Sequence, residues 1–119
     1  MQSYKDKYTL EMRQSESEKI IQKYPMKIPV IVEPYPMTET FLGKKKFIVP
    51  NVFTVTQFYM ILRKRMTLTP EQALFVFFGG QSIVPMSVSI FSVYENFKDP
   101  DGFLYCKVTR ENTFGDKNI

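Results

Sequence analysis

The chain has 119 residues, 44% of them hydrophobic and 15% aromatic, enough for one domain with its own core rather than a disordered segment. It contains no histidine and one cysteine, Cys106, so an internal disulfide is excluded and the usual general base and commonest metal ligand are missing. No paired carboxylates stand out, so neither an enzyme nor a metal or cofactor site is expected. Residues 1–65 carry 12 Lys and Arg against 6 Asp and Glu, and residues 66–119 carry 4 against 6. A basic front half favours acidic partners or an anionic membrane surface; no nucleic-acid motif accompanies it. No apolar run is long enough to cross a bilayer, and the start lacks the apolar stretch of a secretory signal. With a lone cysteine, the cytosol is the expected compartment.

Ser3-Tyr4-Lys5-Asp6 has the form of a capping box and predicts a short helix. Thr9 predicts a second cap, opening a longer helix to about Tyr24, where Pro25 stops it. Its apolar positions Met12, Ile20, Ile21 and Tyr24 are sparse, so it is expected to pack on the outside of a core built by other elements. Lys27-Ile28-Pro29-Val30-Ile31-Val32-Glu33 reads as a strand, with Ile28, Val30 and Val32 on one face and Pro29 and Ile31 on the other. Pro34-Tyr35-Pro36 ends it, and residues 37–43 read as a polar turn closing a hairpin.

The returning strand, Lys44-Lys45-Lys46-Phe47-Ile48-Val49-Pro50, is the most telling segment. Phe47 and Val49 point to one face, while Lys46, Ile48 and Pro50 point to the other. A strand that begins in charge and ends in proline fits a sheet edge, where backbone groups lie open. Two readings stay open here: a module that captures an extended peptide as an added strand, or a capped edge with no guest.

Thr54-Val55-Thr56-Gln57 predicts a capping box and a helix to about Met66, with Val55, Phe58, Ile61 and Leu62 as its buried stripe. Arg63-Lys64-Arg65 falls in the last turn, where cations complement the helix dipole. Thr69-Pro70-Glu71-Gln72 predicts a brief helical turn, and Leu74-Phe75-Val76-Phe77-Phe78 an apolar strand broken by Gly79-Gly80. Ser87 is expected to cap a short helix carrying Ile90, Val93 and Tyr94. Asp99-Pro100-Asp101-Gly102 predicts a turn. The last strand is then Phe103-Leu104-Tyr105-Cys106-Lys107-Val108, with Cys106 as inert core. This order makes an α+β chain: a ubiquitin-like β-grasp with a four-stranded mixed sheet over residues 27–108. Residues 1–26 form an additional pair of N-terminal helices packed on it, and residues 109–119 a flexible polar tail.

Ser17-Glu18-Lys19-Ile20, Lys23-Tyr24-Pro25, Ile28-Pro29-Val30-Ile31-Val32-Glu33, the Lys44-to-Pro50 strand and Thr54-Val55-Thr56-Gln57-Phe58-Tyr59 together resemble one known group. Arg63-Lys64-Arg65, Phe103-Leu104-Tyr105 and Asn112-Thr113-Phe114-Gly115 extend the match over residues 4–115. It is the autophagy ubiquitin-like modifier family, which includes GABARAP and the microtubule-associated-protein light chains. The resemblance implies cleavage after a C-terminal glycine by a cysteine protease. Transfer through ubiquitin-activating-like and conjugating-like enzymes then joins that glycine to the headgroup amine of phosphatidylethanolamine. The matching residues are Phe114 and Gly115, with cleavage between Gly115 and Asp116. Glycine presents an unhindered carbonyl, a polar tail gives reach, and the lipid supplies an anchor that the chain lacks. Localisation is accordingly expected in the cytoplasm and, after lipidation, on the autophagosome or another vesicle.

The resemblance also implies that cargo receptors bearing aromatic-x-x-aliphatic motifs pair along Lys46–Pro50. One pocket is expected from Glu16, Ile20, Pro29 and Ile31 together with Lys46, Ile48 and Phe103. A second is expected from Phe47, Val49, Pro50 and Phe53 together with Phe58, Ile61 and Leu62; Phe53 stands where an aliphatic residue is common. Lys44, Lys46 and Arg65 are expected to attract acidic flanks of such motifs. The alternative is a non-conjugated peptide-binding adapter in membrane trafficking or microtubule attachment, using the same groove. A nucleic-acid-binding domain, supported by charge alone, ranks below both.

Overall fold

A computed structural model describes residues 2–42, 45–66, 68–79 and 82–112. Ser3 Oγ accepts from Asp6 N at 3.1 Å and starts α1 (Tyr4–Lys7). Thr9 Oγ1 accepts from Met12 N at 3.2 Å and starts α2 (Leu10–Lys23), which ends at Tyr24 as expected. β1 (Lys27–Pro34) and β2 (Lys46–Pro50) form the antiparallel hairpin, with Ile28 opposite Val49 and Val30 opposite Phe47. Thr54 and Gln57 exchange both bonds of a capping box at the start of α3 (Val55–Arg65), an arrangement worth about 1 kcal/mol. β3 (Gln72–Phe78), α4 (Ile90–Phe97) and β4 (Leu104–Asn112) complete the described chain.

The four-stranded sheet runs β2-β1-β4-β3, with β1 and β4 parallel and the other pairs antiparallel. Hairpin, crossing helix and two further strands are the β-grasp order expected. One sheet face packs on α3: Phe58 meets Phe47 edge-on at 6.3 Å and Phe78 at 6.1 Å, with Val30, Val32, Leu62, Leu104 and Val108 around them. Across the sheet lies a smaller core, in which Ile20 of α2 covers Ile31 and Phe103, with Tyr4, Tyr24 and Tyr105 packed against it. Both faces of β1 are thus covered, which is why its sequence is an almost unbroken apolar run.

Three expectations are corrected. β4 does not end at Val108; Thr109, Arg110, Glu111 and Asn112 pair with Phe75, Leu74, Ala73 and Gln72 of β3. Polar side chains do not stop a strand whose amides still have a partner, so residues 109–112 belong to β4. Nor is there a helical turn at Thr69: Gln72 N donates to Thr69 O at 3.1 Å in a simple turn, and β3 starts at Gln72. Finally, Ser89 rather than Ser87 caps α4, its Oγ accepting from Ser92 N at 3.1 Å. The chain before it is committed elsewhere: Val88 N bonds Pro85 O, and Val88 O accepts from Val55 N. Among the described residues no helix is long and apolar enough to cross a membrane.

Candidate functional site

β2 stands at a border of the sheet, and its register decides which backbone groups face outward. Val32 N donates to Lys45 O at 2.7 Å and Asn51 N to Met26 O at 2.9 Å. Residues 45, 47, 49 and 51 therefore turn their peptide groups toward β1. The intervening Lys46 and Ile48 turn theirs away, where no other described strand pairs with the sheet; Pro50 has no donor, and its carbonyl accepts from Phe53 N at 3.1 Å. The Ile48 side chain is 37% exposed.

The Lys46 side chain reaches from this edge to α2. Its Nζ lies 3.0 Å from Glu16 Oε2, with both side chains 40% exposed, and 5.9 Å from the centre of the Tyr4 ring. A pair so exposed is worth under about 1 kcal/mol; its importance is positional, since it spans the gap between the two elements. Beneath it, Ile20, Ile31 and Phe103 are 7%, 1% and 0% exposed, and Pro29 is also buried. The floor expected for the first pocket is therefore filled, because α2 lays Ile20 directly on it. What remains open is the rim of Glu16, Lys46 and Ile48.

Open space lies beside that rim. A cavity of about 370 Å³ is bounded by Tyr4, Lys7, Tyr8, Ile31, Glu33 and Lys46, among others. Another of about 190 Å³ is lined by Tyr4, Tyr8, Met12, Glu16 and Lys46. Tyr4, Tyr8 and Met12 were not foreseen as site residues. The available signal was that a four-residue helix with no core of its own must lay its tyrosines on a neighbour. Tyr4 does so edge-on against Phe103 at 5.4 Å, and its phenol is pushed up to about 12, first by burial and then by Glu16.

Several residues of the second expected pocket lie in the core. Phe47, Val49, Phe58 and Leu62 are 4%, 2%, 0% and 0% exposed and belong to the main core. The inward side of β2 and the buried stripe of α3 face each other, which is why these side chains are covered. Pro50, Phe53 and Ile61 remain half-buried at the surface, and Arg65 is exposed. Lys44, Phe114 and Gly115 lie outside the described residues.

The position of α2, and with it the rim, is held by the turn before β4. Arg13 Nη1 and Tyr105 Oη each donate to Asp101 Oδ2 at 2.6 Å, and Phe103 N donates to Asp101 Oδ1 at 2.8 Å. Ser17 Oγ donates to Asp101 O at 2.5 Å, and Lys5 Nζ to Asp99 Oδ1 at 2.5 Å. Burial works against the Asp99 charge, but Lys5, the Asp101 amide and Arg13 together hold the carboxyl below its ordinary range. Burial, then the bond to Asp101, pushes the Tyr105 phenol up. Burial alone pushes the Cys106 thiol up, so it stays neutral and inert. Among the described residues no group of three His, Cys, Asp or Glu could hold a metal ion.

Comparison with known proteins places this geometry in context. A family model described as autophagy protein Atg8, ubiquitin-like, matches residues 12–115. Autophagy-related protein 8i of Arabidopsis thaliana is 47% identical over 117 residues, covering 97% of this chain and 100% of that protein. Autophagy-related protein 8 of Mycosarcoma maydis is 44% identical over 115 residues, covering 95% and 96%. The crystal structure of Trypanosoma brucei ATG8 superposes with a TM-score of 0.81 at 39% identity, covering 97% of this chain and 99% of that one.

Proposed function

Because the chain belongs to the Atg8 family of ubiquitin-like autophagy proteins, we propose that it is a modifier joined through Gly115 to phosphatidylethanolamine, gathering cargo receptors on the forming autophagosome. It is substrate and adapter in this reading, not an enzyme. A cysteine protease removes the residues after Gly115, and activating-like and conjugating-like enzymes carry the glycine as a thioester. The headgroup amine attacks the Gly115 carbonyl, a C–N bond forms and the carrier thiol departs. The family match ends at residue 115, which supports this choice of glycine. The protein then works in the cytoplasm and on the vesicle to which it is anchored.

The single observation that carries the binding half is the outward peptide groups of Lys46 and Ile48 at the border of the sheet. A guest strand pairing there sends side chains i and i+3 to opposite faces of the extended sheet. One meets the Glu16, Lys46 and Ile48 rim, and the other meets Phe53 and Ile61 on the side of α3. That is why a motif of aromatic, two spacers and aliphatic suits this edge, where a motif with one spacer would not. So short an interface gives affinity on the order of micromolar, made effective by many copies on one membrane.

The reading is tested by expressing the chain with its protease and conjugation enzymes and weighing the product. Loss of Asp116-Lys117-Asn118-Ile119 and a phospholipid adduct on Gly115 are expected, both abolished by Gly115→Ala. An intact Ile119 with no adduct, alongside aromatic-x-x-aliphatic peptide binding that Ile48→Ala removes, would leave the non-conjugated adapter.

A further inference from the structure

We propose that the C-terminal end of α3 is the face this molecule turns toward an anionic bilayer, with Lys64 and Arg65 set against headgroup phosphates. The inference rests on conjugation through Gly115 and adds to it a membrane orientation. β4 ends at Asn112, paired with Gln72 at the start of β3, and Arg63 Nη1 donates to Gln72 O at 3.1 Å. The exit of the chain is therefore fastened directly to the last turn of α3. Only Thr113 and Phe114 separate Asn112 from Gly115, and three extended residues span at most about 10 Å. That is close to one Debye length, about 8 Å at physiological salt. The anchored protein therefore keeps this end within a distance on the order of one Debye length of the headgroups.

The charges there suit such a surface. Lys64 and Arg65 are exposed and Arg63 half-buried. The carboxylates at the same end are Glu39, taken by Arg110 at 2.9 Å, and Glu71 and Glu111. At the other end of the sheet lie Asp99 and Asp101, already bound by Lys5 and Arg13. The molecule thus presents cations where its tether would emerge and neutralised carboxylates where it would not.

The test uses the full chain carrying Gly115→Cys, coupled to a maleimide-bearing lipid in vesicles of phosphatidylcholine with or without phosphatidylserine. Cys106 is buried, so coupling is confined to the new thiol. Vesicles are treated with an amine-reactive reagent, and modification of Lys64 is compared by mass spectrometry with that of Lys19 and Lys23 on α2. On the anionic vesicles Lys64 is expected to react about fivefold more slowly, the factor of one cation held near such a surface, and added salt should reverse this. Lys19 and Lys23 should be unaffected, and Arg65→Gln, folded by circular dichroism, should weaken the protection of Lys64. Equal Lys64 rates on both vesicles, or protection of the α2 lysines instead, would overturn the proposal. Because the coupling is chemical, a negative result here leaves enzymatic conjugation untouched, and failure of conjugation leaves this measurement readable.

Discussion

Asp101 illustrates how one carboxylate can position a distant surface. Its side chain is fully buried, and a buried charge is tolerable only when paired and hydrogen-bonded; here Arg13, Tyr105 and the Phe103 amide meet that need. Its neighbour Gly102 has φ +93°, and a Cβ there would sit 2.4 Å from Ser17 Oγ, so α2 presses against this turn at contact distance. Asp101→Ala is expected to cost about 3–5 kcal/mol in urea denaturation, since it strands Arg13 and leaves an amide unpaired. Asp101→Asn, which keeps an acceptor for the Phe103 amide, should cost less. Equal stability of wild type and Asp101→Ala would refute this role. The turn itself was legible from Pro100 and Gly102. That Asp101 anchors α2 was not, because 88 residues separate it from Arg13 and no local spacing selects that partner.

β2 shows what alternation can and cannot reveal about a strand. Phe47 and Val49 were readable as one face and Lys46 and Ile48 as the other, and the burial follows that division. Which peptide groups face outward depends on the register with β1, a property of two strands. It leads to a sharp contrast. Ile48→Pro removes an N–H pointing away from the sheet, so stability should change by no more than about 1 kcal/mol while guest-peptide affinity falls at least about tenfold. Val49→Pro removes an N–H directed at β1 and should destabilise by about 3 kcal/mol or more. Thermal melts and peptide titration of both variants check this; similar stability losses for the two would contradict the register. The residues expected for the second pocket show the same limit. Phe58 and Leu62 have the spacing of a helical stripe, and a stripe says that something is covered without saying by what.

The response of the folded molecule to pH follows from groups spread over several elements. Asp99 is held below its ordinary value of 3.8, so its contribution is complete above that value and is lost as pH falls through the folded value. Tyr4 is raised from 10.0 to about 12, so its contribution is complete below pH 10 and is lost as pH climbs toward 12. The melting temperature should accordingly be level around neutrality, fall in strong acid and fall again above about pH 10. Tyr4→Phe should shallow the alkaline limb, and an unchanged limb would show that Tyr4 is not its source. Helix caps at Thr9 and Thr54, the strand alternation around Val30 and Phe47 and the turn at Gly102 were all specified locally, because each depends on backbone chemistry within a few residues. So was the assignment of a β-grasp, since element order and connection length leave few ways to close one sheet. The end of β4, the filled floor under Ile20, the tyrosines lining the cavity and the clamp on Asp101 waited on folding. Each depends on which distant partner claims an amide, a face or a charge, and that competition is settled only when all the elements are packed together.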